Sequence, residues 1–243
     1  MGAAASGSAL VLGGTGYVGG AVVRALAARG VEVVFGYHQN HERAAALCRE
    51  TGARSEPGDL SAPDCPTQLV AAARDACGPI SRLVHAATEL GAAGAWADDG
   101  ASSADFDRLM ALEVRSAWLA AEALVAQLEP GQVGEVILTA SVAAIHSIAV
   151  PAPVAAAQAA RLGLVRGLAK ALGPRGVRVN LVVLGVLEDG IAKQLAAPLR
   201  RDFLHFSALR RPGTAEEAAE IIAWLATENR YMTGATVQAT GGI

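Results

Sequence analysis

Lysine is almost missing from this sequence. It occurs only at Lys170 and Lys193, and the 243 residues together carry a net charge of −3. A protein that binds nucleic acid through the phosphate groups needs a basic surface. The composition therefore argues against a nucleic-acid-binding protein.

Cysteine and long apolar runs are also scarce. Cys48, Cys65 and Cys77 form an odd set without CxxC spacing or an accompanying histidine cluster. This pattern favours free thiols over a disulfide framework, and it predicts no metal site. No stretch reaches the roughly 20 apolar residues of a membrane-spanning helix. We therefore expect a cytoplasmic protein that does not insert into membranes.

Aromatic residues make up only 4% of the chain, whereas hydrophobic residues make up 52%. The core must therefore be built from valine, leucine, isoleucine and alanine. Short apolar runs alternate with longer segments of helical periodicity, and no repeat or linker interrupts them. The alternation predicts an α/β fold, a Rossmann-type doubly wound parallel sheet of about seven strands with helices on both faces. We expect one domain over residues 1–243.

The element boundaries are predicted from where the apolar runs begin and end. Strands are expected at Ala9–Leu12, Val31–Phe35, Arg54–Glu56, Arg82–Ala86, Val133–Thr139, Val177–Val183 and Ala235–Ala239. Helices are expected at Gly20–Arg29, Glu42–Glu50, Pro66–Ala76, Asp105–Gln127, Ala155–Leu172 and Glu216–Ala226. The irregular segment Leu184–Thr214 follows the carboxyl end of a strand, where folds of this class place substrate loops.

A glycine-rich turn lies directly between the first strand and the first helix. It comprises Gly13, Gly14, Thr15, Gly16, Tyr17, Val18 and Gly19. Glycine lets the backbone approach a pyrophosphate, and the helix N-terminus supplies unpaired N–H donors and a positive dipole end. In this position the motif predicts a dinucleotide site. The alternative is a tight turn that needs glycine only for packing.

The end of the second strand bears on which dinucleotide is bound. An NAD-specific site places an acidic residue there, against the ribose 2′-hydroxyl. Here the strand is followed by Tyr37 and His38, and no carboxylate comes before Glu42. We therefore expect NADP(H), with His38 and Arg43 near the 2′-phosphate. The sequence fits a solvated loop histidine at position 38 equally well.

Five segments carry a resemblance to a known family over nearly the whole chain. They are the GxxGxxG spacing of the turn, ILTASVAA at 137–144, PRGVRVN at 174–180, RRPGTAEEAAEIIAWLAT from Arg210 and TGATVQATGGI from Thr233. These segments resemble the short-chain dehydrogenases/reductases. The turn resembles the extended and atypical branches of that family, and the last two segments resemble the C-terminal third of the ketoacyl-carrier-protein reductases. The resemblance implies that Ser141 is the active-site serine, that Asp59 and Leu60 meet the adenine ring, and that Ala86 adjoins the cofactor.

Two catalytic positions of that family are occupied by unsuitable residues. The family uses a tyrosine that protonates the substrate oxygen, and a lysine four residues later that lowers the tyrosine pKa and holds the nicotinamide ribose. Such a pair shares one helix face. Counted from Ser141, the two positions fall on Val154 and Gln158. Valine has no proton to donate and glutamine has no charge, so the sequence predicts that ordinary hydride transfer is lost.

Two further residues are candidates for the pocket in which members of this family bind their substrate. The resemblance places Glu113 where the family has a catalytic asparagine. An unpaired buried carboxylate is costly, so Glu113 needs a partner other than Arg115, or it points to solvent or to an arginine across an oligomer interface. His146 follows Ser141 on the loop that flanks the substrate in relatives. It is a candidate general acid, or a loop imidazole bonded to the backbone.

Three interpretations of the function are open. The first, which we favour, is a pseudoenzyme: the non-catalytic subunit of a hetero-oligomeric ketoreductase or dehydrogenase that acts on carrier-bound intermediates, as in antibiotic biosynthesis. The second is a repurposed cyclase, dehydratase or isomerase that uses Ser141, Glu113, His146 and Gln158. The third is a weak residual NADPH-dependent oxidoreductase, since nicotinamide chemistry belongs largely to the cofactor.

The predicted helices also indicate assembly. Asp105–Gln127 and Ala155–Leu172 carry small and apolar residues around much of their circumference, and such helices bury the surplus against another surface. We expect a homo-oligomer or a hetero-oligomer with an intact short-chain reductase. Arg175 matches a basic position with which carrier-dependent reductases meet their acidic carrier. An acyl or peptidyl carrier protein is therefore a further predicted partner, although exposed arginines commonly form only solvated surface.

Overall fold

One parallel sheet of seven strands organises the part of the chain that a computed structural model describes, residues 7–89, 102–195 and 197–243. The strands are β1 (Ser8–Leu12), β2 (Val33–Tyr37), β3 (Arg54–Pro57), β4 (Ile80–His85), β5 (Gly134–Ser141), β6 (Val177–Leu184) and β7 (Thr236–Ala239). They lie in the order β3-β2-β1-β4-β5-β6-β7, and every neighbouring pair is parallel. The predicted fold class is confirmed.

Helices cover both faces of this sheet. They are α1 (Tyr17–Ala28), α2 (His41–Thr51), α3 (Cys65–Cys77), α4 (Ser103–Met110), α5 (Ser116–Gln127), α6 (Ala152–Leu172), α7 (Ala197–Phe206) and α8 (Ala215–Thr227). Helices α1, α2 and α8 pack on one face, and α3, α5 and α6 pack on the other. Because side chains of a strand alternate between faces, Leu10 and Leu12 join one core, and Ala9 and Val11 join the other.

The predicted boundaries shift by up to three residues at several elements. Helix α1 begins at Tyr17 rather than Gly20 because Gly16 serves as its N-cap. Helix α6 begins at Ala152 rather than Ala155, with Pro151 as its N-cap and a proline in its first turn. Proline is tolerated there because the first N–H groups of a helix have no partner within the helix.

The predicted helix over Asp105–Gln127 is present and continuous, but its hydrogen-bond pattern changes in the middle. Helices α4 and α5 are joined by a π-helical turn at Ala111–Arg115, which contains the buried Glu113. Single π-turns inside α-helices are frequently found at functional sites. The segment predicted to be irregular contains α7, a short 3₁₀ turn at Gly190–Gln194, and a parallel bridge between Leu187 and Gly213.

Helix length and hydropathy bear on membrane insertion. Within the described ranges, the helices are too short or too polar to span a bilayer.

Candidate active site

The glycine-rich turn at the carboxyl end of β1 is shaped by three glycines with different tasks. Gly13 has a φ of +85°, and a Cβ there would lie 2.7 Å from the backbone nitrogen of Ala87. A Cβ at Gly19 would overlap the carbonyl oxygen of Gly13. At Gly16 the only neighbour of such a Cβ is the Gly13 oxygen, at 3.1 Å. Gly13 and Gly19 therefore serve packing, whereas Gly16 is less crowded and lines the cavity described below.

Helix α1 begins at this open side of the turn. The backbone nitrogen of Gly16 donates to the Gly13 carbonyl over 2.9 Å, and the N-cap makes no side-chain capping bond. The first N–H groups of a helix without such a cap remain available to a ligand, and the helix dipole favours an anion there. The turn therefore provides the cradle that a pyrophosphate requires.

A cavity of about 520 Å³ runs from this turn along the carboxyl ends of the strands. Nine of the predicted cofactor residues line it: Gly13, Thr15, Gly16, Tyr17, Val18, His38, Asp59, Leu60 and Ala86. Gly19 lies beneath the turn, against Gly13. Arg43 is not among the lining residues; its guanidinium lies near Gly20 of α1.

Asp59 is the centre of a polar cluster at one end of the cavity. Its carboxylate accepts hydrogen bonds from the backbone nitrogen and the hydroxyl of Ser61, over 2.9 and 2.7 Å. His38 and Arg108 each lie 3.9 Å from its other oxygen. Burial alone would raise the pKa of Asp59, but the Ser61 bonds and the neighbouring His38 and Arg108 outweigh it and lower that pKa. The carboxylate is thus held ionised at neutral pH.

Val154 and Gln158 occupy the opposite end of the cavity. Both are buried and both line it. The Gln158 side-chain oxygen accepts a hydrogen bond from the backbone nitrogen of Ser141 over 2.6 Å. Its amide nitrogen donates to Glu113 over 2.6 Å and to the Thr88 hydroxyl over 3.3 Å. Thr88 in turn donates to the second Glu113 oxygen over 2.6 Å. Hydrogen bonds therefore hold both the oxygen and the nitrogen of the Gln158 side-chain amide.

Glu113 is paired with Arg161 of α6, and both side chains are fully buried. The Arg161 Nε lies 3.5 Å from a Glu113 carboxylate oxygen and donates to the Glu113 carbonyl over 3.1 Å. The rest of the guanidinium donates to the carbonyls of Thr139 and Ala87. Burial raises the pKa of Glu113, although Arg161 and Thr88 offset part of that rise. The alternatives of a solvent-facing Glu113, or of a partner in another subunit, are wrong.

His85, the last residue of the central strand β4, extends this network. The imidazole is fully buried, with Nε2 2.7 Å from the Ser116 hydroxyl and Nδ1 3.3 Å from Arg161 Nη2. Ser116 donates its own proton to the carbonyl of Leu112. Burial and the Arg161 charge hold the pKa of His85 well below its ordinary value. A neutral ring that donates from Nε2 and accepts at Nδ1 satisfies all these contacts.

Ser141 and His146 are placed differently from each other. Ser141 lines the cavity, and its hydroxyl accepts a bond from the Ala143 nitrogen over 3.3 Å at the start of a 3₁₀ turn. His146 is exposed beyond that turn, where its backbone nitrogen donates to Val142. It is not among the residues that line the cavity. Of the four predicted catalytic residues, the structure brings together Ser141, Glu113 and Gln158.

Arg161 and His85 are the parts of the site that sequence reasoning missed as functional positions. Their contacts join α6 to the ends of β4 and β5, which are distant in sequence. One signal was present: Arg161 lies three residues after Gln158, between small and apolar residues of the same helix. Positions three apart share a helix face.

The sequence matches the family described as Enoyl-(Acyl carrier protein) reductase over residues 16–243. The chain is 33% identical to the cyclic-di-GMP-binding biofilm dispersal mediator protein of Escherichia coli, over 97% of this chain and 96% of that protein. It is 31% identical to the human mitochondrial dehydrogenase/reductase SDR family member 2, over 96% and 85% of the two chains.

Comparison with solved structures points to the same family as comparison with these relatives. A blue fluorescent protein from a metagenomic library, solved in complex with NADPH, superposes with a TM-score of 0.88 and 30% identity. The superposition covers 98% of this chain and 97% of that protein. Fold, nucleotide turn and sequence together lead to one assignment. The chain belongs to the short-chain dehydrogenase/reductase family.

Proposed function

We propose that this chain is a non-catalytic family member that binds NADP(H) and acts as a subunit beside an intact short-chain reductase. The intact partner is a ketoreductase or dehydrogenase of carrier-bound intermediates in a biosynthetic pathway, such as that of an antibiotic. One observation carries the proposal. The side chain at the lysine position is Gln158, and its amide is fixed between the Ser141 backbone and Glu113.

The nucleotide end fits NADP(H). The open side of Gly16 and the uncapped start of α1 suit the pyrophosphate. The lining residues at the end of β2 are Tyr37 and His38, and neither is a carboxylate that would repel a 2′-phosphate. A solved relative holds NADPH, which supports the same choice here. Bound NADPH would supply a hydride, while the chain itself binds and orients the nucleotide.

The opposite end offers no proton for a substrate oxygen at the two family positions. Val154 presents only methyl groups to the cavity. The Gln158 amide and the Thr88 hydroxyl donate to Glu113, and Glu113 itself is sealed from solvent. These contacts also weigh against a repurposed cyclase, dehydratase or isomerase, because Glu113 is already paired and His146 lies outside the cavity.

Exposed apolar surface on α4, α5 and α6 supports the assembly part of the proposal. Phe106 and Trp118 are 42% and 46% exposed on α4 and α5. On α6 the exposed residues Ala156, Gly163 and Gly167 form a stripe of small residues, and a Cβ at either glycine would meet no neighbour. Small residues let two helices approach closely. Leu164 beside them is only partly buried, so an arginine there is expected to prevent association.

A carrier protein is the second proposed partner. Arg175 is exposed at the end of the 3₁₀ turn after α6. Its guanidinium donates one bond, over 3.0 Å, to the carbonyl of Val125. An arginine has five N–H donors. The remaining donors can bind a carboxylate or phosphate of an acidic carrier.

The test combines nucleotide binding with co-purification. We expect calorimetry to detect NADPH binding, and the chain to co-purify at fixed stoichiometry with an intact short-chain reductase encoded beside it. The same titration includes cyclic di-GMP, because the Escherichia coli relative is named for binding it. Binding of cyclic di-GMP without NADPH binding contradicts the cofactor assignment. A stable monomer in light scattering, with the intact reductase present, contradicts the subunit assignment.

A further inference from the structure

A second, smaller cavity lies behind the segment that follows β6. Residues 185–187 line both this cavity and the main one, and so form a wall between the two. The second cavity has a volume of about 160 Å³, and its other sides come from the start of α8, the end of β7 and the segment between α7 and α8. It is therefore a separate space on the α8 side of residues 185–187.

Main-chain hydrogen bonds hold this wall in place. The Gly185 nitrogen donates to the Ala239 carbonyl over 3.0 Å, which ties the wall to β7. The Gly213 nitrogen donates to the Val186 carbonyl over 3.0 Å, and the Glu188 nitrogen donates to the Gly213 carbonyl over 2.9 Å. Moving the wall into the cavity would leave these backbone groups unpaired, which is costly in the interior. The second cavity is therefore a fixed part of the fold.

The lining of the second cavity is mainly apolar and electrically balanced. Its aliphatic side chains are buried or partly buried: Val186, Leu187, Ala218, Ile221 and Ala239. Among the described residues that line it, the charged ones are Arg211 and Glu217, and two hydrogen bonds of 2.9 and 2.5 Å join them. A charged ligand group would lose its water without gaining a free counter-ion, which is costly. The lining therefore favours an uncharged ligand.

Two hydroxyl groups line the second cavity. Thr214 is the N-cap of α8, and its hydroxyl accepts a bond from the Glu217 nitrogen over 3.1 Å. Thr240 is only 8% exposed, and its hydroxyl accepts a bond from the Ile243 nitrogen over 3.3 Å. A hydroxyl that accepts one bond still has its proton to donate. Because ligand pockets commonly use a few polar groups to fix orientation, we expect the more buried Thr240 to orient a ligand here.

The volume of the second cavity limits the size of that ligand. Sites for drug-sized molecules have volumes of about 300–1,000 Å³, well above the 160 Å³ found here. An apolar cavity of about 150 Å³ binds benzene. The second cavity therefore fits one six-membered ring with a small substituent.

We infer that the second cavity is a binding site for a small uncharged molecule, a single ring with one oxygen that accepts a hydrogen bond from Thr240. The molecule binds on the α8 side of residues 185–187 and leaves the main cavity to the nucleotide. The inference goes beyond the proposed function, because this site requires neither NADPH nor a partner subunit.

The test uses 4-fluorophenol, a probe that is uncharged at neutral pH, and follows its fluorine resonance in the presence of the full chain. We expect saturable binding at concentrations up to about 10 mM, an affinity within reach of so small a molecule. Phenol should displace the probe, and benzoate, with the same ring and a negative charge, should displace it at least about tenfold more weakly. Saturating NADPH should leave probe binding in place, because the wall separates the two cavities.

Variants that fill the second cavity should weaken binding. Ala218→Leu adds an isopropyl group to the buried lining and should weaken probe binding at least about tenfold, because ring and side chain cannot share the space. Ala239→Leu does the same from a partly buried position and decides the matter if Ala218→Leu does not fold. Ala126→Leu is the matched control, since Ala126 is exposed on α5 and lines neither cavity. Thr240→Val should weaken phenol about two- to tenfold, as for loss of one hydrogen bond, and leave toluene unaffected.

A further variant separates the two cavities. Ile148 lines the main cavity and not the second one, so Ile148→Asp should leave probe binding unchanged. Absence of saturable binding, competition by NADPH, equal displacement by benzoate, or loss of binding in Ile148→Asp overturns the inference, as does unchanged binding in both filled variants. Failure of NADPH to bind in calorimetry would refute the cofactor assignment of the proposed function, while the filled variants would still decide the second site.

Discussion

The two ends of the cleft are shaped by different parts of the chain, the backbone at one end and side chains at the other. At the nucleotide end, Gly13, Gly16 and the start of α1 shape the site through the backbone. At the opposite end, side chains shape the site, and we propose that Val154 and Gln158 stand in place of the family's proton donor and its partner. A site made by backbone depends on glycines that the fold itself needs. A site made by side chains can be exchanged as long as buried polar groups are satisfied.

The polar side chains at the end of the cleft opposite the glycine-rich turn form one network. Gln158, Glu113, Thr88 and Arg161 satisfy one another in the interior. Replacing Gln158 alone would leave Glu113 without one of its donors. The end of the cleft that contains Gln158 is therefore also a structural core that holds α6 against β4 and β5.

The largest effect is expected from breaking this core. Glu113→Gln keeps the shape but leaves the buried Arg161 charge unpaired, which should lower the free energy of unfolding by about 3–5 kcal/mol. The matched control is Glu220→Gln, since Glu220 pairs with Arg29 on the surface at 2.6 Å. Such exposed pairs contribute about 1 kcal/mol or less. Urea denaturation measures both variants, and equal destabilisation would contradict the difference drawn between core and surface.

A second buried pair, remote from the cleft, sharpens the comparison. Glu135 is 5% exposed at the start of β5 and contacts Arg178 of β6. Burial raises the pKa of Glu135 to about 7, although Arg178 offsets part of that rise. The raised pKa means that burial disfavours the ionised form of Glu135. Ionising a buried carboxylate therefore lowers stability at a site outside the cleft as well.

The sign of the resulting pH dependence follows from linkage. The folded state holds the Glu135 proton more tightly than the unfolded state, so the contribution of Glu135 to stability is complete below about pH 4.5. It is lost as the pH rises towards the folded value of about 7, at no more than about 1.4 kcal/mol per pH unit. Glu135→Gln should remove this slope between pH 4.5 and 7. An unchanged slope in the variant would show that Glu135 does not titrate in this range.

A smaller effect is expected at the nucleotide end. Gly16→Val should weaken NADPH binding at least about tenfold, because the added side chain enters the space the pyrophosphate needs. Stability should fall modestly, since a Cβ there would lie 3.1 Å from the Gly13 carbonyl oxygen, which must shift slightly. Gly167→Ala, on an open face of α6, is the control for binding. Calorimetry that finds equal NADPH affinity for Gly16→Val and wild type would refute the pyrophosphate cradle.

Much of this comparison could be predicted from the sequence, but the buried network could not. Strand–helix alternation predicted the sheet, and counting from Ser141 selected Val154 and Gln158, which the structure places in the cavity. The Glu113–Arg161 pair joins residues 48 positions apart, and only tertiary packing brings them together. The π-turn at Ala111–Arg115 was not predicted, because a segment of five residues is too short to show a change of helical period in the sequence. His146 was misplaced in the pocket because loop direction is not encoded by spacing.

The smallest effect is expected from introducing the family's tyrosine and lysine alone, at the two positions proposed for them. Val154→Tyr with Gln158→Lys should give no measurable NADPH-dependent ketone reduction, because the new lysine would lie beside Glu113, in place of the amide that now donates to it over 2.6 Å. An ion pair with Glu113 would hold the lysine away from the nucleotide. Ketone reduction by this double variant, followed at 340 nm, would show that Glu113 is no obstacle.

The central claim is that the cleft binds the nucleotide and has lost the chemistry. The most direct measurement follows NADPH absorbance at 340 nm for the wild-type chain with a panel of ketones, on protein whose NADPH binding has been quantified by calorimetry. We predict one bound NADPH per chain and no oxidation above that of buffer. Turnover at the roughly 1 to 10³ per second of ordinary enzymes would contradict the account.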